Sequence, residues 1–162
     1  KKAVERATNT HANALAWRFI GFGDAQFAAQ KFADANQRYR KASQSAPQLA
    51  DAWFRQGFAL SAIGRYDLAV GAINRGLKIN PNWAKSGFDL KELYCPDELA
   101  KDARLDVLAQ AAADKPNDAN LLFLVGVHLH FDGQAEQAEQ FFQRAKELAG
   151  DDAEHIRTFM SK

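Results

Sequence analysis

Small residues and prolines recur at one fixed spacing along this chain of 162 residues. A period of a few tens of residues indicates one supersecondary unit that is repeated, and each unit is too small to bury its apolar face except against its neighbours. Stacking of the units is therefore the main constraint on the fold. The recurrences, each 34 positions long, join Gly23 to Gly57, Ala35 to Ala69 and Pro47 to Pro81.

Helical spacing dominates inside each unit. Ala69, Ile73 and Gly76 follow one another at intervals of four and three residues, whereas the alternation typical of strands is scarce. Asn80-Pro81 and Gly150-Asp151 supply the stop and start signals of helix ends. The chain is therefore predicted to be all-α.

These positions together resemble the tetratricopeptide repeat, a helix-turn-helix unit of the same period. The unit that begins at Ala50 is the cleanest match, and only Gln56 departs from the family's pattern, at its seventh position. The unit from Ala16 lacks a large residue at Gln26, and the unit from Ala119 replaces the final proline by Gly150. The matching residues of the second unit are Trp53, Gly57, Leu60, Tyr66, Ala69, Ile73, Gly76 and Pro81.

The resemblance implies a right-handed superhelix of antiparallel helix pairs, with about four repeats and a closing helix, in a single domain that spans 1–162. One unit is degenerate, because Gly87, Lys91 and Gln110 stand where the family has other residue types. The third and fourth units also resemble repeat segments of large bacterial multi-repeat proteins. The predicted segments are 1–15 (an extension of the first helix or a cap), repeats 16–49, 50–83, 84–118 (degenerate) and 119–150, and a C-terminal capping helix at 151–162.

Glycine has a steric role at the eighth position of a unit. Gly23, Gly57 and Gly126 occupy that position, where two helices would cross at an axial distance of roughly 8–10 Å that a bulky side chain prevents. We therefore expect the three glycines to lie in equivalent helix contacts. Gly21 has no such packing role and costs up to about 1 kcal/mol relative to Ala in mid-helix, which suggests that something approaches it closely.

Family resemblance also implies a concave groove lined by the first helix of each unit. Aromatic residues dominate the groove positions here, so we expect it to receive an amphipathic helix or an extended apolar peptide of a partner. The alternative is a groove already covered, either by residues 1–15 or by contacts within the superhelix. The predicted partner-binding residues, called the predicted groove below, are Phe54, Arg55, Phe58, Phe123, Val127, His130 and Phe131.

Catalytic motifs do not stand out from the background of solvent-facing charges, so we predict neither an enzyme nor a cofactor. His128 and His130 form an HxH pair, but on a helix they point about 200° apart and cannot share a metal ion. A thiolate metal cluster and an intrachain disulfide are excluded because Cys95 is the single cysteine. No metal site is therefore predicted.

Charge and hydropathy limit the partners further. The 21 basic and 20 acidic residues are interleaved, which disfavours nucleic acid, and the apolar run Leu121–Val127 is too short to cross a membrane. A single thiol is compatible with the cytoplasm, although the compartment stays undetermined. Because the chain starts without Met, we expect a piece of a longer parent.

The leading functional hypothesis is a scaffold that binds a partner protein or peptide in the predicted groove. The alternative is a structural or self-associating repeat module of a larger protein, with no separate ligand. Light scattering at several concentrations distinguishes the two.

Overall fold

A computed structural model describes the backbone of residues 2–160 and the side chains of residues 10–160. Over this part of the chain there are nine α-helices and one 3-10 helix, and no strand, so the predicted all-α class is confirmed. Residue 1 and residues 161–162, at the outer ends of the predicted terminal segments, lie outside the described residues. The helices are α1 (Lys2–Ala28), α2 (Phe32–Ser45), α3 (Ala50–Ala62), α4 (Tyr66–Ile79), the 3-10 helix Pro81–Lys85, α5 (Lys91–Tyr94), α6 (Glu98–Asp114), α7 (Ala119–Phe131), α8 (Ala135–Ala149) and α9 (Glu154–Phe159).

Three regular helix pairs, α1/α2, α3/α4 and α7/α8, form the framework. In each pair the glycine at the eighth position of the first helix lies against a large, fully buried residue of the second. The space is so small that a methyl group there would overlap the neighbouring side chain, which confirms the predicted role of the three glycines. The distances from such a methyl group are 2.5 Å at Gly23 to Tyr39 Cε1, 2.6 Å at Gly57 to Ile73 Cγ1 and 2.6 Å at Gly126 to Phe142 Cε1.

The turns inside the three pairs share one backbone conformation. Gly64 and Gly133 adopt positive φ angles of 79° and 74°, which glycine reaches at no steric cost. Gln30 takes the equivalent position in the first turn with φ of 63°, at a cost of roughly 1–2 kcal/mol for a residue with a Cβ. Its side-chain amide donates a hydrogen bond to Asp97 Oδ2 over 3.1 Å, which ties this turn to the start of α6.

Residues 84–118 do not form a regular helix pair. The first helix expected there is replaced by the end of the 3-10 helix, an extended stretch and the single turn of α5. Gly87 has φ of 78°, which interrupts a right-handed helix at that point. Only the second helix, α6, forms, and Asp97 caps it by accepting a hydrogen bond from the Ala100 amide over 3.0 Å. The limits of the repeat units stay a prediction.

Helices α5 and α6 lie across the ends of the regular pairs. Tyr94 of α5 packs edge-on against Phe27 of α1, with ring centroids 4.8 Å apart. Arg104 of α6 donates a hydrogen bond to the Ala62 carbonyl at the end of α3 over 3.2 Å. The segment between the second and third regular pairs therefore contacts helices from the first two.

The two ends of the array differ. Residues 2–15 continue into the rest of α1, which is one helix of 27 residues, whereas its partner α2 has only 14; the division of the chain at residue 16 stays a prediction. At the other end α9 closes the array, with Ile156 and Phe159 buried against the last pair. None of the helices in the described part of the chain is long and apolar enough to span a bilayer.

Candidate functional site

The predicted groove is placed on two helices, α3 and α7. Six of its seven residues are buried, and His130 is partly exposed. In the structure this surface is therefore covered by other parts of the chain and is not an open groove. The residues with no exposed area are Phe54, Phe58, Phe123 and Val127, and Arg55 and Phe131 are 9% and 3% exposed.

Most of the cover over the predicted groove comes from residues 81–94, which we call the cover segment. Trp83 stacks on Phe54 with ring centroids 4.0 Å apart and an interplanar angle of 9°. Phe88 stacks on Phe58 at 5.7 Å. The rings of Trp83 and Phe88 also meet Phe131 edge-on, at 5.2 and 5.6 Å. Aromatic contacts in these geometries contribute about 0.5–1.5 kcal/mol each beyond the area they bury.

Polar contacts hold the backbone of the cover segment as well. The Leu90 amide donates to the Phe131 carbonyl over 2.9 Å, and His130 Nε2 lies 2.6 Å from the Ala84 carbonyl oxygen. Because a carbonyl oxygen only accepts, this nitrogen carries the hydrogen. The indole of Trp83 donates to Asp51 over 3.3 Å. The end of α7 therefore binds main-chain groups of the cover segment directly.

Helix α9 covers the remainder of the predicted groove. Its Phe159 ring contacts Phe123 and Phe131, each with centroids 5.8 Å apart, and His130 at 5.2 Å. His155 packs edge-on against Phe123 at 4.7 Å, and burial lowers the pKa of this imidazole. The capping helix predicted at 151–162 thus also fills the surface near the last pair.

Arg55 is the centre of a charged network between the first two pairs. Its Nε donates to Asp24 Oδ1 over 3.0 Å and its guanidinium reaches Asp51 at 3.5 Å, while its Cζ lies 5.6 Å from the centroid of the Phe88 ring. Tyr39 donates to the same Asp24 oxygen over 2.6 Å. Burial, and then the Asp24 carboxylate, raise the pKa of Tyr39, so this hydroxyl stays protonated.

The HxH pair separates as the helical period requires. His128 is buried, with Nδ1 2.7 Å from the Leu124 carbonyl oxygen, whereas His130 reaches Ala84 in the cover segment. Burial lowers the pKa of His128 to about 4. No group of three or more His, Cys, Asp or Glu side chains that could hold a metal ion occurs within the described residues.

Trp83 is the important residue that the sequence analysis did not assign to the site. It stands two residues after Pro81, where the family pattern predicts only a connection between units, and yet it is 5% exposed and stacks on Phe54. A large aromatic residue two positions after the proline that follows a helix was the available signal. Such a residue in a connection needs an apolar surface to cover it.

Comparison with known proteins gives a match to a family model over part of the chain and matches to several solved structures. The model of the family described as "Tetratricopeptide repeat" matches residues 50–83. No curated protein matches the sequence. Among solved structures, "Crystal structure of MamA protein" is 19% identical, with 85% of this chain and 75% of that chain covered and a TM-score of 0.42.

Two further structures give similar values. "Crystal structure of MamA" is 18% identical, with coverages of 94% and 88% and a TM-score of 0.43. "MamA RS-1 ArsTM double mutant" is 20% identical, with coverages of 89% and 92% and a TM-score of 0.42. Residues 50–83, which carry the family match, are α3, α4 and the first turn of the cover segment, and the flanking pairs share the glycine crossing of this pair. Residues 50–83 therefore form a tetratricopeptide repeat, and the chain contains at least this one unit of the family.

Proposed function

We propose that this chain is a protein-interaction scaffold without catalytic activity, and that its predicted groove binds a segment of a partner polypeptide. The residues proposed to make that contact are Phe54, Arg55, Phe58, Phe123, Val127, His130 and Phe131. One observation carries the proposal. The cover segment belongs to no regular helix pair, and five of the seven residues of the predicted groove contact it and hold it on this surface.

The contacts to the cover segment are those of a peptide ligand. Two aromatic anchors five residues apart, Trp83 and Phe88, insert against rings of α3 and α7. Main-chain groups between and beyond them bond to the end of α7. Anchors in desolvated pockets supply most of the affinity in such interfaces, and backbone hydrogen bonds fix the register. A partner segment with two aromatic residues at that spacing would satisfy the same positions.

An internal ligand competes with an external one. A tethered segment acts at an effective concentration in the millimolar range, so a partner with micromolar intrinsic affinity binds the intact chain weakly. The surface becomes available when the cover segment is displaced or weakened. Under this proposal the cover segment sets the apparent affinity of the scaffold.

The experiment weakens the cover segment and supplies it in trans. The double variant Trp83→Ser, Phe88→Ser leaves every residue of the predicted groove in place. The probe is a fluorescein-labelled synthetic peptide with the sequence of residues 80–95. Fluorescence anisotropy is expected to show at least tenfold tighter binding to the variant than to the unaltered chain, because the internal competitor is lost.

Controls separate the groove from general apolar adhesion. Leu99→Ser changes a residue that is 81% exposed and outside the predicted groove, and should leave peptide binding at the level of the unaltered chain. A probe peptide with Ser at both aromatic positions should not bind. Circular dichroism establishes that the double variant retains its helices. A folded double variant that binds neither peptide, or both equally, contradicts the proposal.

The alternative function, a structural module that associates with itself, has a different signature. Light scattering would then show a molar mass that rises with concentration, with no added peptide. A constant monomer mass together with peptide binding by the double variant favours the scaffold.

A further inference from the structure

Helix α1 carries an uncovered face at the start of the array. Phe22 is 51% exposed and Trp17 is 47% exposed, and Arg18, Gly21 and Ala25 on the same side are exposed as well. A methyl group on Gly21 would meet nothing within 4 Å, so no contact among the described residues requires glycine there. We call this surface the N-terminal face.

The second regular pair shows which kind of structural element covers the equivalent face of its first helix, α3. Positions 34 residues after Arg18, Phe22 and Ala25 are Ala52, Gln56 and Ala59 of α3, and all three are buried. Helix α2 covers two of them: Ala52 packs with Ala42 and Ala46, and Gln56 donates to Ser43 over 2.9 Å.

The equivalent face is also buried in the third regular pair. The corresponding residues of α7 are Leu121, Val125 and His128, which are 5%, 2% and 5% exposed. Among the first helices of the three regular pairs in the described part of the chain, α1 is thus the one whose equivalent face is open. The repeat geometry therefore assigns an α-helix to this face, in the orientation in which α2 lies on α3.

Charge specifies the chemistry of that helix. Arg38 lies over the Phe22 ring, with Cζ 5.7 Å from its centroid, and Lys41 lies 5.9 Å from the centroid of the Phe19 ring. With Arg18 these side chains make the border of the face basic. The carboxylate of Asp24, the nearest described acid on α1, is engaged by Tyr39 and Arg55 on another side of the helix.

A second copy of this chain is disfavoured as the occupant. Symmetric pairing of two N-terminal faces would place Arg18, Arg38 and Lys41 of one copy beside the same cations of the other, and like charges across an interface cost several kcal/mol. Stacking of the face on the last pair of another copy is obstructed, because α9 already packs Ile156 and Phe159 there.

We propose that the N-terminal face binds an acidic amphipathic α-helix of a partner protein, seated on α1 as α2 is seated on α3. Small or apolar residues at intervals of three and four would pack along Gly21, Phe22 and Ala25. Carboxylates beside them would pair with Arg18, Arg38 and Lys41. The proposal concerns a surface separate from the predicted groove, so it stands or falls independently of the proposed function.

Two synthetic peptides test the proposal by isothermal titration calorimetry on the full chain. Both are 18-residue helix-forming peptides with Ala and Leu along one face, and they differ in having Glu or Lys at the flanking positions. The Glu peptide is expected to bind at least tenfold more tightly than the Lys peptide. Its affinity should fall as salt is raised, because the flanking contacts are solvent-exposed ion pairs.

Substitutions locate the binding on α1. Phe22→Ser should weaken the Glu peptide at least tenfold, while Leu68→Ser, at a 57% exposed residue of α4, should leave its affinity unchanged. The double charge reversal Arg18→Glu, Lys41→Glu should invert the preference between the two peptides. A purely structural role of these exposed residues would not produce that inversion.

Three results would overturn the assignment. The first is equal affinity for the two peptides, or no binding of either. The second is a Phe22→Ser variant that binds the Glu peptide as the unaltered chain does. The third is a molar mass that rises with concentration in the chain alone and returns to the monomer value in Phe22→Ser, because the occupant would then be a second copy.

Discussion

Lys101 of α6 and Asp132, in the turn between α7 and α8, form a shielded ion pair. The Lys101 Nζ donates to Asp132 Oδ1 over 2.6 Å, and the two side chains are only 6% and 4% exposed. Burial alone would lower the pKa of Lys101, but hydrogen bonds and charges from Asp132 and Asp102 outweigh it, and the pKa is raised. The pair fastens α6 to the last regular pair.

Removal of one partner of this ion pair should be costly. We expect Lys101→Met to lower the free energy of unfolding by about 3–5 kcal/mol, because it strands the Asp132 carboxylate in a buried site. The double variant Lys101→Met, Asp132→Leu removes both charges and should be more stable than the single one. Urea unfolding followed by circular dichroism measures both. A single variant as stable as the unaltered chain would contradict the role of the pair.

Burial of the predicted groove makes its aromatic residues structural in the free chain. Phe54→Ala should lower the free energy of unfolding by about 3–5 kcal/mol, because it removes a fully buried ring and leaves a cavity beneath Trp83. Phe22→Ala, at a half-exposed ring of α1, should cost about 1 kcal/mol or less. Thermal or urea unfolding compares the two, and similar losses would show that Phe54 is less enclosed than its contacts imply.

Glycine has opposite effects at two positions in the first helices of the first two pairs. Gly57→Ala should destabilise by about 1–3 kcal/mol, because the added methyl group would lie 2.6 Å from Ile73 Cγ1 in a packed crossing. Gly21→Ala should stabilise the free chain by about 0.5–1 kcal/mol, since the helix gains alanine's propensity with no clash. The sign of the difference in urea midpoint is the test for each.

Acid should destabilise the fold through His128. Its pKa is about 4 in the folded chain and about 6.5 when unfolded, so the unfolded state binds the proton more readily. The stabilisation is complete above pH 6.5 and is lost progressively as the pH falls to about 4, by up to about 3 kcal/mol.

The matched variant for this titration is His128→Asn, whose side-chain Nδ2 matches the position of the imidazole Nδ1 that faces the Leu124 carbonyl and does not titrate. Urea unfolding at pH 7, 5.5 and 4 should show the stability of the unaltered chain falling faster than that of the variant. His155 is present in both proteins, so its contribution cancels in the comparison. Parallel pH profiles would remove His128 as the source.

Periodic, local features of this fold were predictable from the sequence. Gly23, Gly57 and Gly126 each need only their own helix pair to acquire their role, so a repeated spacing was sufficient to identify them. The absence of a regular helix pair in residues 84–118 was not predictable from a repeated spacing. It depends on Trp83 meeting Phe54 and on Leu90 bonding to Phe131, contacts between residues remote in sequence that no spacing rule encodes.

The same distinction between periodic features and contacts remote in sequence applies to the candidate site. Family positions grouped Phe54, Phe58 and Phe131, and in the structure these three rings lie around the cover segment. They could not indicate whether the surface was open, because its cover is formed by an irregular stretch and by α9. Burial of several adjacent rings made a cover necessary on physical grounds, but the identity of that cover came from tertiary contacts.

The position of α5 and α6 has a consequence for how the chain loses its structure. In a linear repeat array each unit touches only its neighbours, and terminal units can melt by themselves. Here Tyr94 is fixed to the first pair, Arg104 to the second and Lys101 to the third. The segment α5–α6 therefore contacts all three regular pairs. Separating any one pair from this segment also weakens the support that it gives to the other two, so the molecule should melt as one cooperative unit.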